Sequence, residues 1–160
     1  SGAWAGHISP TALPVRPVKG QVLSVIGGPR INHVLTFADV YMVPRSDGRL
    51  LIGASVEEAG YDKRVDADTI QRLRQAAVSA VPALGQAKIL EVWAGLRPGT
   101  PDDLPLLGAT TIPGYFVASG HFRDGILLAP ITAKLITQLI RNENPEYDLA
   151  AFSPMRFSKG

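Results

Sequence analysis

Three stretches carry residue types whose spacing could do chemistry. In KILEVWAGLRPGT, residues 88–100, Arg97 ends an alternating run, shares a face with Trp93 and precedes a Pro-Gly turn. A guanidinium fixed there could grip a carboxylate through two parallel hydrogen bonds, or it could be a surface arginine at a strand end; the residues alone weigh the two level. In GHFRDGILLAP, Gly120–Pro130, two glycines bracket Arg123 and Asp124 before an apolar segment. Such a strand–turn–helix unit leaves unpaired N–H groups at the helix start, where a negative ligand group can bind. Taken alone, the stretch favours a plainer connection, with Asp124 capping the helix and Arg123 in solvent. Tyr41, in VYMVPR, offers a phenol to the same carboxylate, although strand tyrosines are mostly packing residues.

Other candidates are weaker. His7, His33 and His121 have no metal-ligand spacing, and the chain has no cysteine, so no metal site is expected. Ser55 and Ser119 lack a G-x-S-x-G setting. Glu57, Glu58, Asp102 and Asp103 read as solvated loop carboxylates. No catalytic acid or base is expected.

The elements that must position these groups follow from hydrophobic period and turn residues. Pro10 to Pro17 reads as a crossover linker stiffened by three prolines. GQVLSVIG, INHVLTF and VYMVPR read as strands, and Asp47-Gly48 marks a hairpin from VYMVP to LLIGAS. A helix capped by Asp66 or Asp68 follows, with Ile70, Leu73, Ala77 and Val81 on one face, before Pro82 and Gly85 stop it. In the 88–100 run, Leu90, Val92, Ala94 and Leu96 form the expected core face. YFVAS reads as a strand buried on both sides, and Gly125–Arg141 as a helix apolar nearly all round, hence interior. The tail from Pro145 reads as mostly irregular.

Composition bounds the function. With 160 residues, 46% hydrophobic, 19% charged and a net charge of +2, the chain reads as an ordinary soluble protein with no call for nucleic acid. No apolar run approaches the length of a membrane span, since Lys134 and Gln138 interrupt the only candidate, the segment from Ile126 to Ile140. The lack of cysteine excludes disulfides and thiolate chemistry and suits a cytoplasmic location. The start, SGAWAGHISP, has neither an initiator methionine nor a signal peptide, so a fragment or one chain of a split protein is expected.

Taken together, SGAW, LPVRPVKGQVL, YMVPRSDGRLLIGAS, VWAGLRPGTPDDLPLLG and YFVASGHFRDGILLAP resemble, in order, the C-terminal half of glycine oxidase. That is a D-amino-acid-oxidase-like FAD amine oxidase serving thiamine biosynthesis, and the resemblance runs from residue 1 to about Pro154. It implies an α+β fold: a largely antiparallel substrate-binding sheet plus a C-terminal strand–turn–buried helix completing a Rossmann-like FAD domain that lies mostly outside this chain. The implied domains are 1–20, the end of the FAD domain and crossover; 21–105, the substrate-binding domain; and 106–160, the return to the FAD domain and the tail.

The resemblance also implies site residues. His121, Phe122, Arg123, Asp124, Gly125, Ile126 and Leu127 would contact a noncovalent FAD, and Arg97, Arg123 and Tyr41 would bind substrate. Glycine, a small D-amino acid or an amine would pass a hydride to flavin N5. The imino acid would hydrolyse to a keto acid and ammonia, and dioxygen would reoxidise the flavin to give hydrogen peroxide. Such a transfer needs positioning rather than a strong base. Implied partners are the missing N-terminal FAD-binding half and further copies in a homo-oligomer. Two departures stand out: Asp124 occupies a position where close relatives usually have Asn, and the chain has no G-x-G-x-x-G to hold a pyrophosphate. A dehydrogenase of the same superfamily and a non-catalytic binding domain are the alternative readings.

Overall fold

The computed structural model describes residues 2–157. Ser1 of the SGAW stretch and the last three residues of the tail lie outside the described residues. The chain divides into two compact units. One holds everything up to Val18 together with everything from Arg97 onward; the other spans Lys19–Leu96.

The 19–96 unit is built on a five-stranded sheet. Its strands are β1 (Arg16–Ile26), β2 (Leu35–Phe37), β3 (Val40–Pro44), β4 (Leu50–Gly53) and β5 (Lys88–Gly99), in the order β2-β3-β4-β1-β5. Neighbouring pairs β2/β3, β3/β4 and β4/β1 are antiparallel. The Asp47-Gly48 hairpin forms as expected: Gly48 takes φ +85°, and the Asp47 carboxylate accepts from the Arg49 N–H at 3.1 Å. Alternation then places Leu23, Val25, Val40, Met42, Leu50 and Ile52 on one buried face. Helix α2 (Ala67–Ala80) lies over that face through Ile70, Leu73 and Ala77. Asp66 is its cap, its carboxylate accepting from the Thr69 N–H at 2.8 Å.

Several expectations are corrected here. Pro10–Pro17 is not wholly linker, because Arg16 and Pro17 already begin β1, at a strand start where proline is tolerated. Only Leu35–Phe37 of INHVLTF pairs as a strand. The expected core face of β5 is open at its start, Leu90 being 52% and Val92 42% exposed, while Ala94 and Leu96 are half-buried. The cause is topological: β5 is an edge strand, and α2 packs over β2, β3 and β4.

The other unit holds α1 (Ala5–Ile8), an antiparallel pair β6 (Leu106–Ala109) and β7 (Phe116–Ser119), and helix α3 (Gly125–Ile140). The tail is not simply irregular, since short 3-10 turns form at Ala150–Phe152 and Pro154–Phe157. Strand β7 is buried on one face only, through Val117 and Ser119. Helix α3 is not interior: only Thr132 and Leu135 are fully buried, while Ile126 is 95% and Leu127 77% exposed. A two-stranded sheet is too narrow to cover a helix that is apolar all round. Among the described residues no helix is long and apolar enough to cross a membrane.

Candidate functional site

Arg97 and the Gly120–Gly125 turn fall in the same unit, and one hydrogen bond ties their segments. The Phe122 N–H donates to the Pro98 carbonyl at 3.0 Å, one residue beyond Arg97. Arg97 itself is half-buried near the end of β5. Thr100, fully buried, closes the strand: its hydroxyl donates to the Leu104 carbonyl at 2.7 Å.

The turn after β7 needs its first glycine. Gly120 has φ +76°, a left-handed conformation, and a Cβ there would stand 2.6 Å from the Thr100 methyl carbon. Phe122 also takes a positive φ, +49°. The Asp124 N–H donates to the His121 carbonyl at 2.9 Å, and the Asp124 carbonyl accepts from Leu128 at 2.8 Å, starting α3. The Asp124 side chain occupies the cap position yet makes no cap bond, so the plain capping role does not hold. Arg123 and Asp124 are both exposed.

His121 is half-buried. Its Nε2 lies 3.0 Å from the Thr132 hydroxyl of α3, and burial holds its pKa below the ordinary imidazole value. The first turn of α3 thus presents the backbone N–H groups of Gly125, Ile126 and Leu127 with no side chain capping them. Pro130, inside the helix, withholds the N–H that would reach the Ile126 carbonyl.

Tyr41 belongs to the 19–96 unit. It pairs with Gly53 across β3 and β4, and a Cβ at Gly53 would lie 3.1 Å from its phenol oxygen and 3.1 Å from the Val22 side chain. The missing side chain is what gives the phenol its place.

Two sets of residues were missed because their partners are distant in sequence. Glu57 is no solvated loop carboxylate. It accepts from Gln21 at 2.8 Å and from the Ser55 hydroxyl at 2.5 Å, and it pairs at 3.6 Å with Lys19, which is 4% exposed. Burial alone would raise the Glu57 pKa, but the Ser55 and Gln21 hydrogen bonds and the Lys19 charge outweigh it and leave it lowered. Asp102 is likewise not free: Arg156 grips both its oxygens at 2.8 Å, and this pairing holds the carboxyl well below the usual range. Buried Gln21 lay inside an apolar strand and Arg156 in an irregular tail, so neither had a local signal.

Comparison with known proteins bears on what this arrangement serves. The sequence profile of the DAO family, FAD dependent oxidoreductase, matches residues 1–139. The chain is 43% identical to the hydrogen cyanide synthase subunit HcnC of Pseudomonas aeruginosa, over 98% of this chain and 39% of that protein. It is also 43% identical to the bifunctional protein ThiO/ThiG of a Synechocystis species, over 98% of this chain and 24% of that one. The crystal structure of glycine oxidase from Geobacillus kaustophilus superposes with a TM-score of 0.90 at 39% identity, covering 99% of this chain and 45% of that one. The chain therefore spans less than half the length of each of these relatives.

Proposed function

Because this chain belongs to the DAO family of FAD dependent oxidoreductases, we propose that it forms the substrate-binding and flavin-facing part of an oxidase acting on glycine or a small D-amino acid. The observation that carries the reading is the Phe122–Pro98 bond. It ties the turn that would face the flavin to the strand end bearing Arg97.

The residues present fit a flavin. The start of α3 offers three uncapped donors, with the apolar Ile126 and Leu127 side chains in the open beside them. This suits a heteroaromatic edge that accepts hydrogen bonds and carries negative charge when reduced. His121, Phe122, Arg123, Asp124, Gly125, Ile126 and Leu127 would hold it, and α3 would complete a Rossmann-like domain supplied by sequence beyond this chain. Bound FAD supplies the acceptor for a hydride from the substrate α-carbon.

The chain's own residues bind and orient. Arg97 pairs with the substrate carboxylate, a charge-assisted contact of about 1.5–3 kcal/mol. Tyr41 and Arg123 are the further substrate contacts proposed with it. The positive end of the α3 dipole favours negative charge on the ring, by up to ~2 kcal/mol where partly buried. Arg123 adds to that effect and Asp124 opposes it. The exposed apolar faces of α3 and β5 are the surfaces such a reading requires the rest of the protein to cover.

A panel of glycine, sarcosine and D-alanine, added without oxygen to the complete flavin-loaded protein, tests this. At least one should bleach the flavin, and air should then restore the colour with release of hydrogen peroxide. Bleaching that air does not reverse would make the protein a dehydrogenase. A second reading follows from the likeness to a hydrogen cyanide synthase subunit, and cyanide rather than ammonia as product would establish it.

A further inference from the structure

Arg156 directs most of its guanidinium to one turn. Nε and Nη2 donate to the two Asp102 oxygens at 2.8 Å each, and Nη2 also reaches the Leu104 carbonyl at 2.8 Å. Nη1 donates to the carbonyls of Pro105 at 3.2 Å and Ser153 at 3.1 Å, and the guanidinium lies 4.4 Å from the Phe157 ring centroid. Asp102 in turn accepts from the Leu104 N–H at 3.1 Å and lies 3.2 Å from the Thr100 hydroxyl. Arg16 also donates to the Thr100 carbonyl and stands 3.9 Å from Asp103. The Thr100–Pro105 turn is thus held by two arginines distant in sequence.

What the turn holds gives the clamp its consequence. The Thr100 methyl fills the space over Gly120, and two residues on, Phe122 bonds Pro98, the neighbour of Arg97. We propose that Arg156 is a positioning residue: through Asp102 it fixes the turn on which both Arg97 and the 120–125 segment are set, and so sets how well a substrate carboxylate is gripped. This rests on the reading of Arg97 as the carboxylate arginine. A fork onto both carboxylate oxygens fixes direction as well as distance, which a lysine ammonium does not.

The test uses the complete FAD-loaded protein and acetate, a carboxylate with no amine to oxidise, titrated against the flavin's visible spectrum. Arg156→Lys and Asp102→Asn should each weaken acetate about tenfold, the scale expected when a binding group shifts by a fraction of an ångström. KM for the amino acid should rise by a like factor with kcat changed less than about threefold, the split expected for lost uniform binding. The double variant should be no worse than the weaker single, since both remove one interaction. A lowered Tm with acetate affinity within about twofold of the parent, additive losses, or loss of the fold in both singles would each overturn the proposal and make the clamp structural. Arg97→Ala is the reference arm. If it binds acetate normally, the carboxylate reading of Arg97 fails, and this inference falls with it for a separate, identifiable reason.

Discussion

Phe122 holds a left-handed backbone conformation that a bulky side chain rarely adopts, and it does so where its N–H meets Pro98. The neighbouring His121 is expected to couple stability to pH. Its ring packs against Thr132, and burial disfavours its charged form. An unfolded histidine takes up a proton near pH ~6.5, whereas the folded one does so only at lower pH. The unfolded state therefore binds more protons in that window. The ring's contribution is complete above about pH 6.5 and is lost as pH falls through the depressed folded value. The urea midpoint should drop between about pH 7.5 and 5.5, and His121→Gln should flatten that drop. An equal drop in both proteins would show that another group titrates.

At the scale of elements, the β7–α3 connection is the sharpest case of local sequence dictating geometry. Gly120→Ala would place a methyl against Thr100 in a conformation costing about 1–2 kcal/mol for an L-residue. The clash adds to this, so Tm should fall by several degrees for a unit of this size. A melt unchanged from the parent would mean that the turn relaxes freely. The elements themselves were largely legible in the sequence: the Asp47-Gly48 hairpin, the Asp66-capped helix and the strand before the Gly120 turn all form. Burial was not. Apolar residues all round α3 and alternation in β5 said only that those faces favour a partner, and the described chain covers one stripe of α3 and leaves the start of β5 open. The polar ties were hidden for another reason. Arg156 and Asp102 are 54 residues apart, and Gln21 and Glu57 are 36 apart, so no local pattern couples them.

For the whole molecule, two compact units can be told apart, one holding Arg97 and the α3 terminus, the other holding Tyr41 opposite Gly53. The proposed reaction asks Arg97 to bind and orient the substrate rather than a strong base to act. The deciding measurement is amino-acid-dependent hydrogen peroxide production under air by the complete flavin-loaded protein and its Arg97→Ala variant. The account predicts one peroxide and one ammonia per amino acid consumed for the parent. For the variant it predicts kcat/KM lower by about ten- to a hundredfold, from the loss of a pair worth about 1.5–3 kcal/mol, at unchanged flavin content. An Arg97→Ala protein that keeps the parent kcat/KM, or a parent that makes no peroxide with any small amino acid, would contradict it.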